Sequence, residues 1–203
     1  MTDLLTEQER IKYVSIWKIN SYRLVSPGYN SANCFFNFFK EKIQPGDSIT
    51  DFGCGTGITT LNFLEKQLSV QLIDIAHNAL SDEINALTIL LPSRVKFYNT
   101  CLWELSDNIL PTDWIYCIDV LEHIPTEKIE ACLIELSKRM VKGGAIQVFL
   151  EDEGFGKIIG EPLHLTIKPL SWWHEIISKF FDIKHIASVI PDIRYTFFVE
   201  PIS

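Results

Sequence analysis

The sequence predicts an α/β protein: a doubly wound, mostly parallel sheet that ends in an antiparallel C-terminal hairpin. Three observations predict it. Between residues 48 and 152, short apolar runs alternate with longer segments of helical periodicity. Those runs are apolar at nearly every position, as strands covered on both faces must be. After residue 155 the alternation stops, and two β-rich segments follow, joined by Pro191-Asp192.

Each element has its own signal. In 31–43 (SANCFFNFFKEKI) apolar residues recur at helical spacing up to the turn QPGD, which predicts a helix. SITDF (48–52) is a short buried strand running into a glycine loop, and 57–67 resumes as a helix. VQLIDIA (70–76) is the second strand, 78–91 a helix stopped by Pro92, and VKFYN (95–99) the third strand. DWIYCIDV (113–120) is the fourth. The helix over 126–140 closes with the basic residues Lys138 and Arg139 before KGG, and AIQVFLED (145–152) is the fifth strand. An amphipathic helix over 171–180 precedes the hairpin segments 181–190 and 193–200. Right-handed crossovers make a doubly wound sheet of the parallel part. With no repeat or low-complexity tract, the 203 residues read as one domain: a helical cap over 1–44, a core over 45–152, and a loop, helix and hairpin over 153–203.

Composition narrows the function. A 47% hydrophobic content suits one sizeable core, and the formal net charge of -8 disfavours a nucleic-acid partner. The N-terminus MTDLLTEQERIKYVSIW is charged and lacks an apolar h-region, and no apolar run approaches a membrane span. A cytoplasmic protein with no membrane partner is expected. Cys34, Cys54, Cys101, Cys117 and Cys132 form no CxxC pair, so they are expected as reduced thiols.

The informative stretch is DFGCGTG, where Gly53, Gly55 and Gly57 are evenly spaced behind Asp51 at a strand end. Bare backbone here lets a ligand approach closely. A carboxylate pointing into the loop suits an ammonium group and opposes a pyrophosphate, so a dinucleotide is disfavoured. Asp74 ends the next strand, where a carboxylate's two acceptors fit a pair of ribose hydroxyls.

Residues 46–152 thus resemble the S-adenosylmethionine-binding core of class I methyltransferases, DFGCGTG being similar to that family's first motif. The resemblance implies the Rossmann-like fold of that family and a methyltransferase using S-adenosyl-L-methionine. It implies that Asp51 accepts from the cofactor amine, that Gly53, Cys54, Gly55 and Gly57 offer backbone, that Asp74 takes the ribose and that Ile75 covers the adenine. Where the family often has an acidic or amide acceptor for the adenine amino group, this chain has Cys101, a poor acceptor. Adenine contacts would then fall to Asn99, Thr100 or backbone groups, and to packing on Leu102 or Trp103. Asp119 would lie beside the methionine moiety, with Val120 and Leu121 at the cofactor wall.

CIDVLEHIP is similar to the corresponding motif of methyltransferases acting on small molecules and hydroxyl groups, and the D/N-P-P-Y/F tetrapeptide of base-modifying DNA enzymes is absent. The implied reaction is methyl transfer to a small-molecule or sugar acceptor, a hydroxyl being the preferred atom. The alternatives are a non-catalytic S-adenosylmethionine-binding regulatory protein and a nucleic-acid methyltransferase. A hydroxyl nucleophile benefits from a general base or a metal, and Glu122, His123 and His164 are the candidates. His123 or His164 would be the metal-free base. Glu122, His123 and His164 together would hold a divalent metal, similar to the E-x-x-E-H site of small-RNA 3′-end and ubiquinone-pathway methyltransferases. The metal is the less favoured reading, because Asp119 stands where that pattern has a glutamate. Simple packing of the acid-histidine pair is the third reading.

Two segments are expected as a lid. One is aromatic (Tyr13, Trp17, Tyr22, Tyr29) and carries Arg23 as a candidate for the cofactor carboxylate; the other runs from Gly154 to the Trp172-Trp173 pair, a candidate pocket floor. SPG before the core and GEPLHLT after it resemble methyltransferase-like proteins of bacteriophages.

Overall fold

A computed structural model describes residues 3–25 and 28–202. The strands are β1 (Ser48–Phe52), β2 (Ser69–Asp74), β3 (Val95–Asn99), β4 (Thr112–Ile118), β5 (Met140–Phe149), β6 (Asp182–Ile190) and β7 (Arg194–Glu200). The helices are α1 (Leu4–Ile16), α2 (Asn20–Arg23), α3 (Tyr29–Phe38), α4 (Thr60–Glu65), α5 (Asp82–Leu90), α6 (Ile129–Lys138), α7 (Gly156–Ile159) and α8 (Leu170–Ser178). The strands form one sheet in the order β3-β2-β1-β4-β5-β7-β6. β3 to β5 pair in parallel, while β7 pairs antiparallel with both β5 and β6, so the hairpin finishes the sheet as the sequence predicts.

The two-faced burial of the central strands explains their apolar reading. Along β4, Trp114 and Tyr116 pack with Phe35 of α3, Phe63 of α4 and Ile84 of α5. Ile115 and Cys117, pointing the other way, pack with Leu133 of α6, Trp173 of α8 and Phe197 of β7. A side-chain period of two across a doubly covered sheet requires this division. All five cysteines are free, and four of them are buried. No helix among the described residues is long and apolar enough to cross a membrane.

Three boundaries differ from the sequence reading, each for a local reason. The helix expected from Gly57 starts at Thr60, because Gly53, Gly55 and Gly57 all have positive φ, which no helix accommodates. The helix expected from Asn78 starts after Ser81, whose hydroxyl accepts from the Ile84 amide as an N-cap. The fifth strand starts at Met140 and contains the KGG that reads as a break. A Cβ on Gly144 would lie 2.3 Å from Ile115 Cγ1 and 2.5 Å from the Ile115 carbonyl oxygen, so β5 can lie against β4 only with glycine there.

The described residues before β1 include the helices α1, α2 and α3, and α1 buries Thr6, Glu9, Lys12 and Ile16, a stripe with one apolar member. It is fastened by polar contacts. Lys12 Nζ donates to the Pro162 carbonyl at 3.4 Å, Trp103 Nε1 donates to Thr6 Oγ1, and Asn78 Nδ2 donates to the Val14 carbonyl. Gly144→Ala should lower stability by about 1–3 kcal/mol, the usual penalty for overpacking. Chemical denaturation checks it, as a lower midpoint with an unchanged slope.

Candidate functional site

The carboxyl ends of β1, β2, β4 and β5 open into one cavity of about 580 Å³, roofed by α1, by Leu24, Val25, Gly28 and Asn30, and by the segment 153–155. Its lining includes Asp51, Gly53, Cys54, Gly55, Asp74, Ile75, Cys101, Leu102, Trp103, Asp119, Val120, Glu122, His123 and His164. The parallel sheet brings these together because its strand ends share an edge, the place where open α/β sheets bind ligands.

At the β1 end, Asp51 is 4% exposed and has no hydrogen bond or ion pair with any described residue. Burial, with the nearby Asp74 charge, pushes its carboxyl up to about 8. Asp74 is braced instead: one oxygen accepts from the Gly55 amide at 2.9 Å and the other from the Ala76 amide at 2.8 Å. Burial raises it to about 6, those two amides opposing the rise. Each carboxylate oxygen retains a lone pair for a further donor. Gly53 (φ 70°) sits where a Cβ would strike Val120 at 2.5 Å. Gly57 differs from the expectation: it is not at the cavity, and a Cβ there would meet Leu80 and Ile84, so it serves the packing of the glycine loop on α5.

At the β3 end, Cys101 is buried, its thiol is pushed up to about 12 by desolvation, and it bonds Thr6 of α1. Leu102 and Trp103 wall the cavity, and Trp103 is at once wall and anchor through its bond to Thr6. Asn99 and Thr100 do not line it. Asn99 Nδ2 donates to the carbonyls of Asp74 and Ile75, and the Thr100 amide to that of Asp74, so both tie β3 to the tip of β2.

At the β4 end, Asp119 has φ 52°, an unusual conformation for a residue with a side chain. Gln147 Nε2 donates to its Oδ1 at 2.9 Å and Arg194 lies 3.3 Å from its Oδ2. Gln147 is itself fully buried, accepting from Thr196 and Ser31. Burial raises the Asp119 carboxyl, with Arg194 opposing. Val120 lines the cavity, but Leu121 is turned into the core.

The 3₁₀ turn Leu121–His123 then aims Glu122 and His123 at His164, and their ligand atoms lie within 4.8 Å of one another. Glu122 is fully buried. Its Oε1 accepts from the Phe149 amide at 3.0 Å, and Oε2 has no hydrogen-bond partner. Desolvation raises it well above the usual carboxylate range. Desolvation also pushes His123 down to about 3, so its ring is neutral; Nδ1 is buried and unpartnered. His164 Nδ1 faces the Glu151 carbonyl at 2.5 Å, and a carbonyl only accepts, so Nδ1 carries the proton and Nε2 a lone pair. The unpartnered Glu122 and His123 atoms are what a cation would complete, and two imidazoles with one carboxylate are a chemically sound donor set. Asp119 is not one of the set, being engaged with Gln147 and Arg194.

The expected lid is partly there. Tyr13, Trp17, Tyr22, Gly154 and Phe155 line the cavity, whereas Tyr29 does not. Arg23 is turned to other work: its guanidinium donates to the carbonyls of Trp17, Asn78 and Leu80 and so holds α2 to the loop before α5. Trp172 and Trp173 are not a floor, since Trp173 belongs to the core between α6 and β7. In the SPG signal, Ser26 and Pro27 lie outside the described residues, while the Gly28 carbonyl accepts from Tyr116 Oη at 2.6 Å at the cavity rim. Sequence reading missed Arg194, Glu9 and Glu153, which line the cavity from the hairpin, α1 and the segment before α7. None sits in a motif; only strand register and helix docking bring them in.

Comparison with known proteins gives a domain family and a fold. Residues 50–146 match a family described as methyltransferase domain. No curated protein matches the sequence. Among solved structures, 1,6-didemethyltoxoflavin-N1-methyltransferase of Burkholderia thailandensis, bound to its namesake compound and S-adenosylhomocysteine, superposes with a TM-score of 0.75 at 14% identity, over 100% of this chain and 92% of that one. Magnesium protoporphyrin IX methyltransferase of Synechocystis PCC 6803 with bound S-adenosylhomocysteine gives 0.66 at 18% identity, over 100% and 89%. Phosphoethanolamine N-methyltransferase 2 of Haemonchus contortus, with S-adenosyl-L-methionine, gives 0.66 at 16%, over 95% of this chain and 56% of that one.

Asp51 makes stability depend on pH in a defined direction. Its carboxyl titrates at about 8 folded against 3.8 in the reference state, so the folded chain holds the proton longer, and stability falls as pH rises from about 4 to about 8. Asp51→Asn should therefore raise the Tm of the ligand-free protein, by more at pH 8.5 than at pH 5.5. Thermal melts at the two pH values check it; equal shifts would refute the assignment.

Proposed function

We propose, from the match of residues 50–146 to a methyltransferase-domain family, that the chain is a class I S-adenosylmethionine-dependent methyltransferase and that it methylates a hydroxyl group of a small-molecule or sugar acceptor. One observation carries the proposal: a single cavity has at one end a buried, unpartnered carboxylate and at the other a histidine with a lone pair turned inward.

S-adenosyl-L-methionine supplies an electrophilic methyl group on a sulfonium sulfur. Asp51 accepts from its ammonium, which gives that carboxylate the cation it lacks, and the Gly53-to-Gly55 backbone leaves room for the amino acid end. Asp74, already fixed by two amides, takes the ribose hydroxyls with its free lone pairs. Ile75, Leu102 and Trp103 enclose the base. His164 Nε2 receives the proton of the acceptor hydroxyl as the oxygen takes the methyl group; the Glu151 carbonyl keeps the ring in the tautomer this needs and stabilises the imidazolium that forms. His123, pushed down to about 3, is a poor base and a good neutral wall.

A second reading is favoured by one observation, the unpartnered Glu122 Oε2 and His123 Nδ1 beside His164. Those three residues would hold a divalent ion, whose chemistry would be Lewis-acid stabilisation of the acceptor alkoxide.

Transfer of labelled methyl from S-adenosylmethionine to fractionated small molecules is the direct test. His164→Ala should slow it by about 10²–10⁴-fold, the usual contribution of a general base, while S-adenosylhomocysteine affinity holds within twofold. Transfer should survive exhaustive chelation; loss that Mn²⁺ or Zn²⁺ restores would assign the cluster to an ion. Cofactor binding near pH 7 should also release protons, because the ammonium draws Asp51 down from about 8. Calorimetry in two buffers of different ionisation heat should detect this release, and Asp51→Asn should abolish it.

A further inference from the structure

The arginines of this chain are mostly well satisfied. Arg23 donates to three carbonyls, and Arg139 to the carbonyls of Ile109, Glu135 and Ser106 and to the Glu135 carboxylate. Arg194 is different. Its Nη2 lies 3.3 Å from Asp119 Oδ2, it makes no hydrogen bond with any described residue, and its Nε is buried without a partner. A guanidinium has five N–H donors in a fixed plane, and buried donors in native proteins are almost always matched.

Arg194 also stands in a telling place. It opens β7 and pairs in register with Phe149, the last residue of β5, so the antiparallel hairpin carries it to the active edge of the sheet. Its guanidinium lies over the Phe149 ring at 4.9 Å, and the same ring is 5.4 Å from the His164 ring. Stacking on an aromatic face leaves the edge of the guanidinium available for a bidentate partner. It is the only arginine or lysine among the residues lining the cavity. Among the carboxylates nearby, Glu153 takes the Phe155 and Gly156 amides, Asp119 the Gln147 amide group, and Glu122 the Phe149 amide on one of its two oxygens.

We propose that Arg194 binds an anionic group on the acceptor, a carboxylate or a phosphate ester, so that the methylated molecule is a small hydroxy acid or hydroxy phosphate. This rests on the methyl-transfer reading above. One aromatic ring separates the guanidinium from His164, so a molecule bearing its hydroxyl and its anion about a ring's width apart reaches both. The size limit agrees, since a cavity of about 580 Å³ is in the range taken by one drug-sized ligand and here must hold cofactor and acceptor together.

The Arg194 Nε–H resonance in ¹H–¹⁵N spectra of the S-adenosylhomocysteine complex, assigned by its loss in Arg194→Gln, gives the test. Titration with 4-hydroxybenzoate or with 4-hydroxyphenyl phosphate should move it saturably; the anion that moves it at lower concentration identifies the acceptor's group as carboxylate or phosphate. The uncharged 4-hydroxybenzamide should bind at least tenfold more weakly. By calorimetric titration, Arg194→Gln should weaken the anion at least tenfold while binding S-adenosylhomocysteine as the parent does, and Arg194→Lys, which keeps the charge, should recover part of the loss. The proposal is overturned if neither anion moves the resonance, or if the amide binds as tightly as the acid. Absence of heat with S-adenosylhomocysteine itself would instead sink the methyl-transfer reading, and calorimetry separates the two.

Discussion

A carboxylate buried without a partner destabilises any folded protein, and Asp51 is such a group at the centre of this one. Keeping it ionised against its raised pKa costs several kcal/mol, since each unit corresponds to about 1.4 kcal/mol. The surrounding architecture makes that position unavoidable. β1 is the third strand of seven and is flanked by β2 and β4, so the residue before its last is shut in from both sides. Only the cavity ahead of it is open, and the glycine loop folds back so that Gly53 and Cys54 both donate to the Ile73 carbonyl. The same fold that strands the charge leaves one direction from which a cation can reach it.

The acceptor end is organised by a different principle, a fully satisfied polar network under an unsatisfied one. Gln147 is buried on β5 and uses its amide to join α3, β7 and Asp119. That fixes the strained Asp119 and, one turn later, the direction of Glu122 and His123. The Glu122 carbonyl accepts from the amides of Leu165 and Thr166, so the segment carrying His164 is laced to the same turn. Rigid support of this kind places side chains more exactly than a loop does alone. It leaves Glu122 Oε2 and His123 Nδ1 unpartnered, in residues whose ligand atoms lie within 4.8 Å of one another and of His164.

What the sequence disclosed follows the range of each signal. Strands covered on both faces must be apolar, so β1, β2, β4 and β5 could be read as apolar runs, while the edge strand β3 was read from VKFYN and the hairpin from its Pro191-Asp192 connection. Asp51, Gly53 and Gly55 stood out together because they are near neighbours in one loop, and all three line the cavity. α1 gave no comparable signal: a helix whose buried stripe is Thr6, Glu9 and Lys12 has no hydrophobic period to detect. Gly57 looked like part of the ligand loop because periodic glycines do not say which faces a cavity and which faces Leu80 and Ile84. Arg194 was invisible for a stronger reason. It is 75 residues from Asp119 in sequence, and only the register that sets Phe149 opposite Arg194 brings them together.

Charge accounting across the cavity joins these ends. Six carboxylates line it: Glu9, Asp51, Asp74, Asp119, Glu122 and Glu153. Lys12 offsets Glu9 and Arg194 offsets Asp119, while backbone amides serve Asp74 and Glu153. Among the described residues the Asp51 carboxylate has no partner, and Glu122 has one amide and no cation in direct contact. Burial therefore drives both toward the neutral form. A ligand bringing an ammonium and a sulfonium meets this imbalance in a way that a pyrophosphate would worsen. The same accounting explains how α1 can close over the site with polar residues: Glu9 and Lys12 neutralise each other within the helix, so this pair adds no net charge to the cavity.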